Sequence, residues 1–359
     1  MKLDMGNQIL GVHDYMQLYE SHILVDVRSP GEFEKGHIPS ALSCPLFSND
    51  ERALIGTLYK QKGREKAMLE ALNYYSLNVK KIIEQLIALH KKKPELRDQP
   101  VLVYCWRGGM RSGTVCWMLN LFGYKTIQLR GGYKSFRRLA LQTFEQRFPF
   151  IILGGKTGSA KTEILTEMKQ TGAQVINLEQ LAHHRGSAFG SLGQERVPTQ
   201  EYFENLLCIE LLRMKLDAPV WLEDESQRIG AVTIPNSIWK QMRESDVIYL
   251  DIPVEERLKN ILNDYGRFSS EALKDCTIRL QKRLGGLLTK QCTTYLTEGN
   301  YAEAFAILLH YYDKTYREST AKRDPSKVHQ LKTDTGNAQH NVNLIMNFLH
   351  EWKLQADSI

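Results

Sequence analysis

Short apolar runs recur along this chain. Each is broken by a turn rich in glycine or proline and followed by a stretch of helical spacing. Residues 23–28, Val101–Tyr104 and Lys125–Leu129 are such runs in the first part, and Phe148–Leu153, residues 219–226 and 247–253 in the second. They are too uniformly apolar to alternate, which predicts strands buried on both faces, and strands alternating with helices predict parallel α/β sheets. A further strand is expected to end at Asn177-Leu178-Glu179. Helical spacing runs from about Lys66 to His90, from Thr114 to Leu121 and from Glu163 to about Gln170. From about Val254 the chain reads as helical and polar, and the periodic Leu and Tyr of residues 308–316 read as core.

The chain has 359 residues, more than one core usually holds, so two domains are expected, at 1–140 and 141–359. With 42% hydrophobic residues it can bury a sizeable core. The net charge of +6 and pI near 8.8 are compatible with an RNA or phosphorylated partner. No two of the six cysteines form a C-x-x-C pair, which argues against a metal knuckle. Met1–Gln8 has no apolar core of a signal peptide, and no run is long enough for a membrane span. A cytoplasmic protein with reduced thiols, no membrane contact and a monomeric state is therefore expected.

The chemistry concentrates in two places. The first is Cys105-Trp106-Arg107-Gly108-Gly109-Met110-Arg111-Ser112, between a strand and a helix. A thiol at a helix N-terminus, beside loop amides and two arginines, is placed to ionise. Gly108 and Gly109 let the backbone curl into an anion nest, with Arg107 and Arg111 as anion stabilisers. Upstream, Asp26 and Arg28 bracket a strand end, where a charge pair can pin the next loop. His37 reads as a structural residue that hydrogen-bonds a loop.

The second is Gly154-Gly155-Lys156-Thr157-Gly158-Ser159-Ala160-Lys161-Thr162, which joins a strand to a helix. That context makes a phosphate-binding loop. Its amides cradle phosphate oxygens, Lys161 reaches the outer phosphate and Thr162 is placed for a metal ion, with magnesium the candidate. Ala160 stands where glycine is usual. Its Cβ narrows the approach of backbone to phosphate and costs about 1 kcal/mol if the position needs a positive φ. Downstream, Arg185 is a candidate phosphate clamp, and Phe189 either lines an apolar slot or packs. Glu225, at a strand tipped with carboxylates, and Arg228 are candidate substrate contacts. Arg130–Arg138 interleaves basic residues with Tyr133 and Phe136, a pattern that suits RNA or simply packs. Cys116, Cys208, Cys276 and Cys292 read as buried or incidental thiols.

Asp26-x-Arg28-Ser29-x-x-Glu32-Phe33-x-x-Gly36-His37-Ile38-Pro39-x-Ala41, followed by Cys105 after a strand, resembles the rhodanese domain. The likeness covers about residues 8 to 140 and implies a parallel-sheet α/β fold with Cys105 as a persulfide or perselenide carrier. The fold class expected is thus a rhodanese-like domain followed by a P-loop-type α/β domain with a helical C-terminal region. Residues 49–90 exceed a minimal rhodanese. They either cover a substrate or form an ordinary solvated helix pair. With His184-Arg185-Gly186-Ser187-x-Phe189-Gly190 and Glu225-Ser226-x-Arg228-Ile229-Gly230 added, nearly the whole chain resembles the tRNA 2-selenouridine synthase family. That resemblance implies tRNA as partner, carrying 2-thiouridine at the wobble position. It also implies geranyl diphosphate and selenophosphate as substrates rather than cofactors, an S-geranyl intermediate, and Cys105 forming a selenium adduct. Two other classes share parts of the pattern. Cys-x5-Arg is also the spacing of cysteine phosphatases, and a non-catalytic RNA-binding or nucleotide-sensing protein would carry the same basic balance.

Overall fold

The computed structural model describes residues 8–356. Most of the Met1–Gln8 stretch read above lies outside the described residues. The chain divides into two units, residues 1–143 with 204–209, and residues 144–203 with 210–359.

The first unit is built on five parallel strands: β1 (Gln8–Leu10), β2 (Leu24–Asp26), β3 (Leu42–Ser43), β4 (Val101–Tyr104) and β5 (Thr126–Leu129). Their order is β1-β5-β4-β2-β3, with Leu24 opposite Leu102 and Val25 opposite Val103. Every residue of β2, β4 and β5 is buried, as apolar runs in a parallel sheet covered on both faces require. Asp26 and Arg28 form a fully buried ion pair at 2.6 Å, and Arg28 Nη2 also donates to Gly36 O at 2.7 Å. The pair thus pins the loop after β2. His37 Nδ1 donates to Phe33 O at 3.0 Å, and its ring stacks on Phe33 at 3.7 Å, a structural arrangement.

Residues 49–92 form a pair of helices. Asn49–Lys62 opens on a reciprocal cap: Glu51 N donates to Ser48 Oγ at 3.2 Å, and Ser48 N to Glu51 Oε2 at 2.8 Å. Gly63, at φ +86°, breaks it, and Arg64–Lys92 follows. The second helix buries Ala67, Val79, Ile82, Ile83 and Leu86, at helical spacing, and several of these join the core over the sheet.

The second unit has β6 (Phe150–Gly155), β7 (Gln174–Val175), β8 (Val220–Glu223), the hairpin β9 (Arg228–Ile229) with β10 (Val232–Thr233), β11 (Asp246–Asp251) and β12 (Val328–Lys332). Its parallel sheet runs β12-β11-β6-β8-β7. Two readings are corrected here. Asn177 does not end a strand. Its side chain caps a short helix, Leu178–Ala182, accepting from Gln180 N at 2.7 Å, so Glu179 sits on a helix. The region after Val254 is not wholly helical either: β12 pairs with β11 at the sheet edge. Its Val-His-Gln-Leu-Lys sequence is half exposed and too polar to signal a buried strand. The helices of residues 254–320 close a core of their own around Phe189, Leu273, Leu296 and Phe305. Among the described residues no helix is long and apolar enough to cross a membrane.

Candidate active site

Cys105 stands between the end of β4 and the helix Met110–Leu121 and is 3% exposed. Its Sγ lies 3.1 Å from Ser112 Oγ. Gln128, on β5, donates from Nε2 to Ser112 Oγ at 2.9 Å and to Gly108 O at 2.8 Å. Ser112 Oγ therefore already accepts one bond. Its own proton is left for Gly109 O, at 3.3 Å, or for the sulfur. A thiolate only accepts, so ionising Cys105 turns this hydroxyl toward it.

The loop is locked from behind. Gly108 and Gly132 both have positive φ, +63° and +60°. A Cβ on Gly108 would lie 2.3 Å from Leu129 O, and one on Gly132 would lie 2.3 Å from Cys105 O and 2.4 Å from Gly108 N. Two backbones meet where no side chain fits. Tyr133 N then donates to Cys105 O at 2.8 Å and Lys134 N to Trp106 O at 3.0 Å. The stretch after β5 is thus the backing of the Cys105 loop. Tyr133 and Phe136 are both 0% exposed, so their rings cannot stack on bases. Tyr133 instead lies under the Arg28 guanidinium at 3.8 Å.

The expected charge around the thiol is rearranged. Arg111 is not a free cation: its Nη1 pairs with Glu32 Oε2 at 2.8 Å, and Arg52 Nε reaches the same oxygen at 3.0 Å. Burial alone would raise the Glu32 carboxyl. The Arg111 hydrogen bond and charge, the Ser29 amide and Arg52 outweigh it and hold the carboxyl below its usual range. Two guanidiniums around one carboxylate leave a net positive cluster, to which exposed Arg107 adds. Cys105, Arg52, Arg107, Gly109 and Arg111 line one cavity of about 910 Å³ together with both helices of residues 49–92. Those helices are therefore the wall of a cavity over the thiol. Four other cysteines are chemically quiet: burial pushes Cys44, Cys116 and Cys208 up to about 12 and Cys292 up to about 11.

In the second unit, β6 leads through Lys156, Thr157, Gly158, Ser159 and Ala160 into the helix Lys161–Gln170. Lys161 Nζ donates to Gly155 O at 2.9 Å, and Thr162 Oγ1 to Glu179 Oε2 at 3.2 Å. The outside of the loop is held by Arg257 Nη1 on Thr157 O at 3.2 Å and by Asn260 Nδ2 on Gly158 O at 2.9 Å. Lys156 pairs with Asp251 at 3.5 Å. Ala160 is left-handed, at φ +54° and ψ +33°.

Carboxyls crowd the Lys161 end. Burial, then the Glu179 charge, pushes Glu223 up to about 8. Burial, Glu179 and Glu223 raise Glu225 well above the carboxylate range. Glu223 thus keeps its proton at neutral pH and repels an incoming anion less than a charged carboxylate would. Burial would lower the Lys161 ammonium, but Tyr316, Glu225, Glu179 and Asp224 together raise it, so it stays a cation.

The remaining sequence candidates divide. Arg185 contributes to the field on Glu179 and pairs with Asp264 at 3.4 Å. A Cβ on Gly186 would lie 2.6 Å from Glu225 Oε2, and one on Gly230 would lie 2.7 Å from the His184 ring, so the two downstream motifs interlock. Arg228 is exposed on its hairpin and donates from Nε to Gly230 O at 3.0 Å. Phe189 is 3% exposed and packs against Tyr265 and Phe305. Sequence reasoning missed Ser112, Gln128, Glu32, Arg52, Glu179 and Tyr316. Glu32 and Ser112 stand inside the quoted motifs and carried a signal. Gln128 and Tyr316 carried none, because only folding brings them to their sites.

A thiol-bearing loop at the end of a parallel strand in one unit, and a lysine-tipped phosphate loop in the other, define a rhodanese-like domain joined to a phosphate-loop domain. The family models agree. The rhodanese-like domain matches residues 12–139, and the tRNA 2-selenouridine synthase AAA domain matches residues 148–346. Proteins named tRNA 2-selenouridine synthase are similar along the chain. The one from Nitrosomonas eutropha is 37% identical over 249 residues, covering 67% of this chain and 62% of that protein. The one from Nitrosomonas europaea is 35% identical over 269 residues (73% and 68%), and that from Aeromonas salmonicida 34% identical over 330 residues (82% and 86%). The chain belongs to the tRNA 2-selenouridine synthase family.

Proposed function

We propose that this protein converts wobble 2-thiouridine of tRNA to 2-selenouridine in two group transfers, one served by each unit. In the first, the C2 sulfur attacks the terminal carbon of geranyl diphosphate. The S–C bond forms, diphosphate leaves and the uridine N3 proton is lost. In the second, selenium replaces the geranylthio group: the C2–Se bond forms, the C2–S bond breaks and geranylthiol departs. Alkylation matters because it turns a poor leaving group into a better one.

The phosphate loop suits the first transfer. It offers the Lys161 cation, a helix N-terminus and Ser159 Oγ, which is buried and meets no hydrogen-bond partner among the described residues. Magnesium takes few protein ligands beside phosphate oxygens, and Thr162 and Glu179 would hold it there, where it supplies charge neutralisation.

The Cys105 loop suits the second. Selenium in selenophosphate is already at the selenide level, so a Cys105–selenium bond would need a two-electron oxidant. Attack of Cys105 Sγ on phosphorus needs none. The S–P bond forms, the P–Se bond breaks and selenide is released. Water later returns the thiol and phosphate. Cys-x5-Arg spacing, with the net positive Arg111–Glu32–Arg52 cluster, favours a phosphoryl oxyanion, and Ser112 stabilises the thiolate.

The observation that carries this reading is Cys105 lining a cationic-rimmed cavity in a chain of this family. Its test is mass spectrometry of tRNA nucleosides. With both small substrates, Cys105→Ala should accumulate S-geranyl-2-thiouridine and form no selenouridine. Lys161→Ala should do the reverse when supplied with S-geranyl tRNA. Selenouridine made by Cys105→Ala would overturn the role given to the thiol.

A further inference from the structure

The cavity over Cys105 has a composition that no nucleobase needs. Its walls are Ile55 of the helix Asn49–Lys62, Met68, Ala71 and Leu72 of the helix Arg64–Lys92, and Trp117 of the helix after Cys105. Cations gather in the same cavity: Arg52, Lys60, Arg107 and Arg111. Met68, Leu72 and Trp117 are 46%, 63% and 44% exposed. Large apolar side chains gathered at one opening mark a binding surface for an apolar group rather than an ordinary solvated face. A base would call for hydrogen-bond partners on its edges, whereas these walls are mostly hydrocarbon, aromatic and thioether surface, with Thr57, Tyr59, Tyr75 and Thr114 the neutral polar side chains among them. The volume, about 910 Å³, is within the ~300–1,000 Å³ of small-molecule sites.

We propose that this cavity seats the prenyl chain of S-geranylated tRNA, holding C2 of the modified uridine beside Cys105 while the cations meet the flanking phosphates. The inference rests on the two-transfer reading above and adds a subsite to it. The chain that makes sulfur a leaving group also serves as the handle by which the second site selects alkylated over unalkylated RNA. An apolar handle fits the apolar walls, and the phosphodiester backbone fits the cations around them.

Gly56 provides a clean probe. It lies within the helix Asn49–Lys62, lines the cavity, and a Cβ there would meet nothing within 4 Å. The position at the cavity mouth therefore accepts a Cβ without a clash. The experiment measures binding of full-length protein to two anticodon stem-loops, identical except for S-geranyl-2-thiouridine or 2-thiouridine. The native chain should prefer the geranylated RNA by tenfold or more. Gly56→Trp should lose that preference while binding the thiouridine stem-loop within about twofold of native, which also reports folding. Gly56→Ala, adding one methyl, should keep it. The proposal is overturned if the native chain shows no preference or if Gly56→Trp retains it, the latter placing the prenyl site elsewhere. Failure of the two-transfer reading is seen separately, as absence of selenouridine when native protein receives geranylated RNA and selenophosphate.

Discussion

Ala160 is a single residue with a conformational cost. Its left-handed φ of +54° strains an L-residue by roughly 1–2 kcal/mol. Glycine would relieve that but gives back about 0.4–1 kcal/mol through the freer unfolded chain. Ala160→Gly should therefore stabilise by at most about 1.6 kcal/mol, and it should bind inorganic pyrophosphate more tightly because the Cβ is gone. Thermal unfolding with and without pyrophosphate measures both. Glu223 makes the pH dependence. Its carboxyl titrates at about 8 folded, against ~4.3 unfolded, so between those values the folded chain holds a proton the unfolded chain has lost. The stabilisation is full below the lower value and drains as pH rises through about 8. Tm should fall from about pH 5 to about pH 9, and Glu223→Gln should remove part of that slope. A slope identical in the variant would show that Glu223 does not carry it. The residues that could be named in advance were those with local signatures, Cys105 among its glycines and Lys161 before its helix. Ser112 and Gln128 form one hydrogen-bond relay from two elements, and that relay is a product of register.

Among elements, the turn after β5 changed meaning most. Its alternation of cations and rings is a pattern that RNA-binding segments share, yet folding buries the rings and uses Gly132 to back the Cys105 loop. Gly132→Ala should cost about 2 kcal/mol or more, through a close contact that backbone atoms cannot yield, and should slow selenium transfer. A denaturant midpoint unchanged from native would contradict this. The two helices of residues 49–92 teach the converse. Their sequence was compatible with a solvated pair, and only their placement over Cys105 makes the exposed apolar positions a wall. The strand β12 escaped notice because an edge strand needs few apolar residues, so the chain there reads as one more polar stretch.

At the scale of the whole molecule, the parallel α/β class, the rhodanese-like and phosphate-loop characters and the family were legible in the sequence. Each is written in contiguous chemistry: an apolar run, a turn and a helix start specify a strand–loop–helix unit whatever surrounds it. What the sequence alone determined, then, is where the two strand–loop–helix units that end in Cys105 and Lys161 fall along the chain. Tertiary structure decided the rest, because it depends on distance between residues remote along the chain. It paired Arg111 with Glu32, buried Glu223 beside Glu179 so that its carboxyl is pushed up, and roofed Cys105 with hydrocarbon. Electrostatic and apolar free energies fall off over a few ångströms in space, and spacing along a chain fixes such distances only within one element.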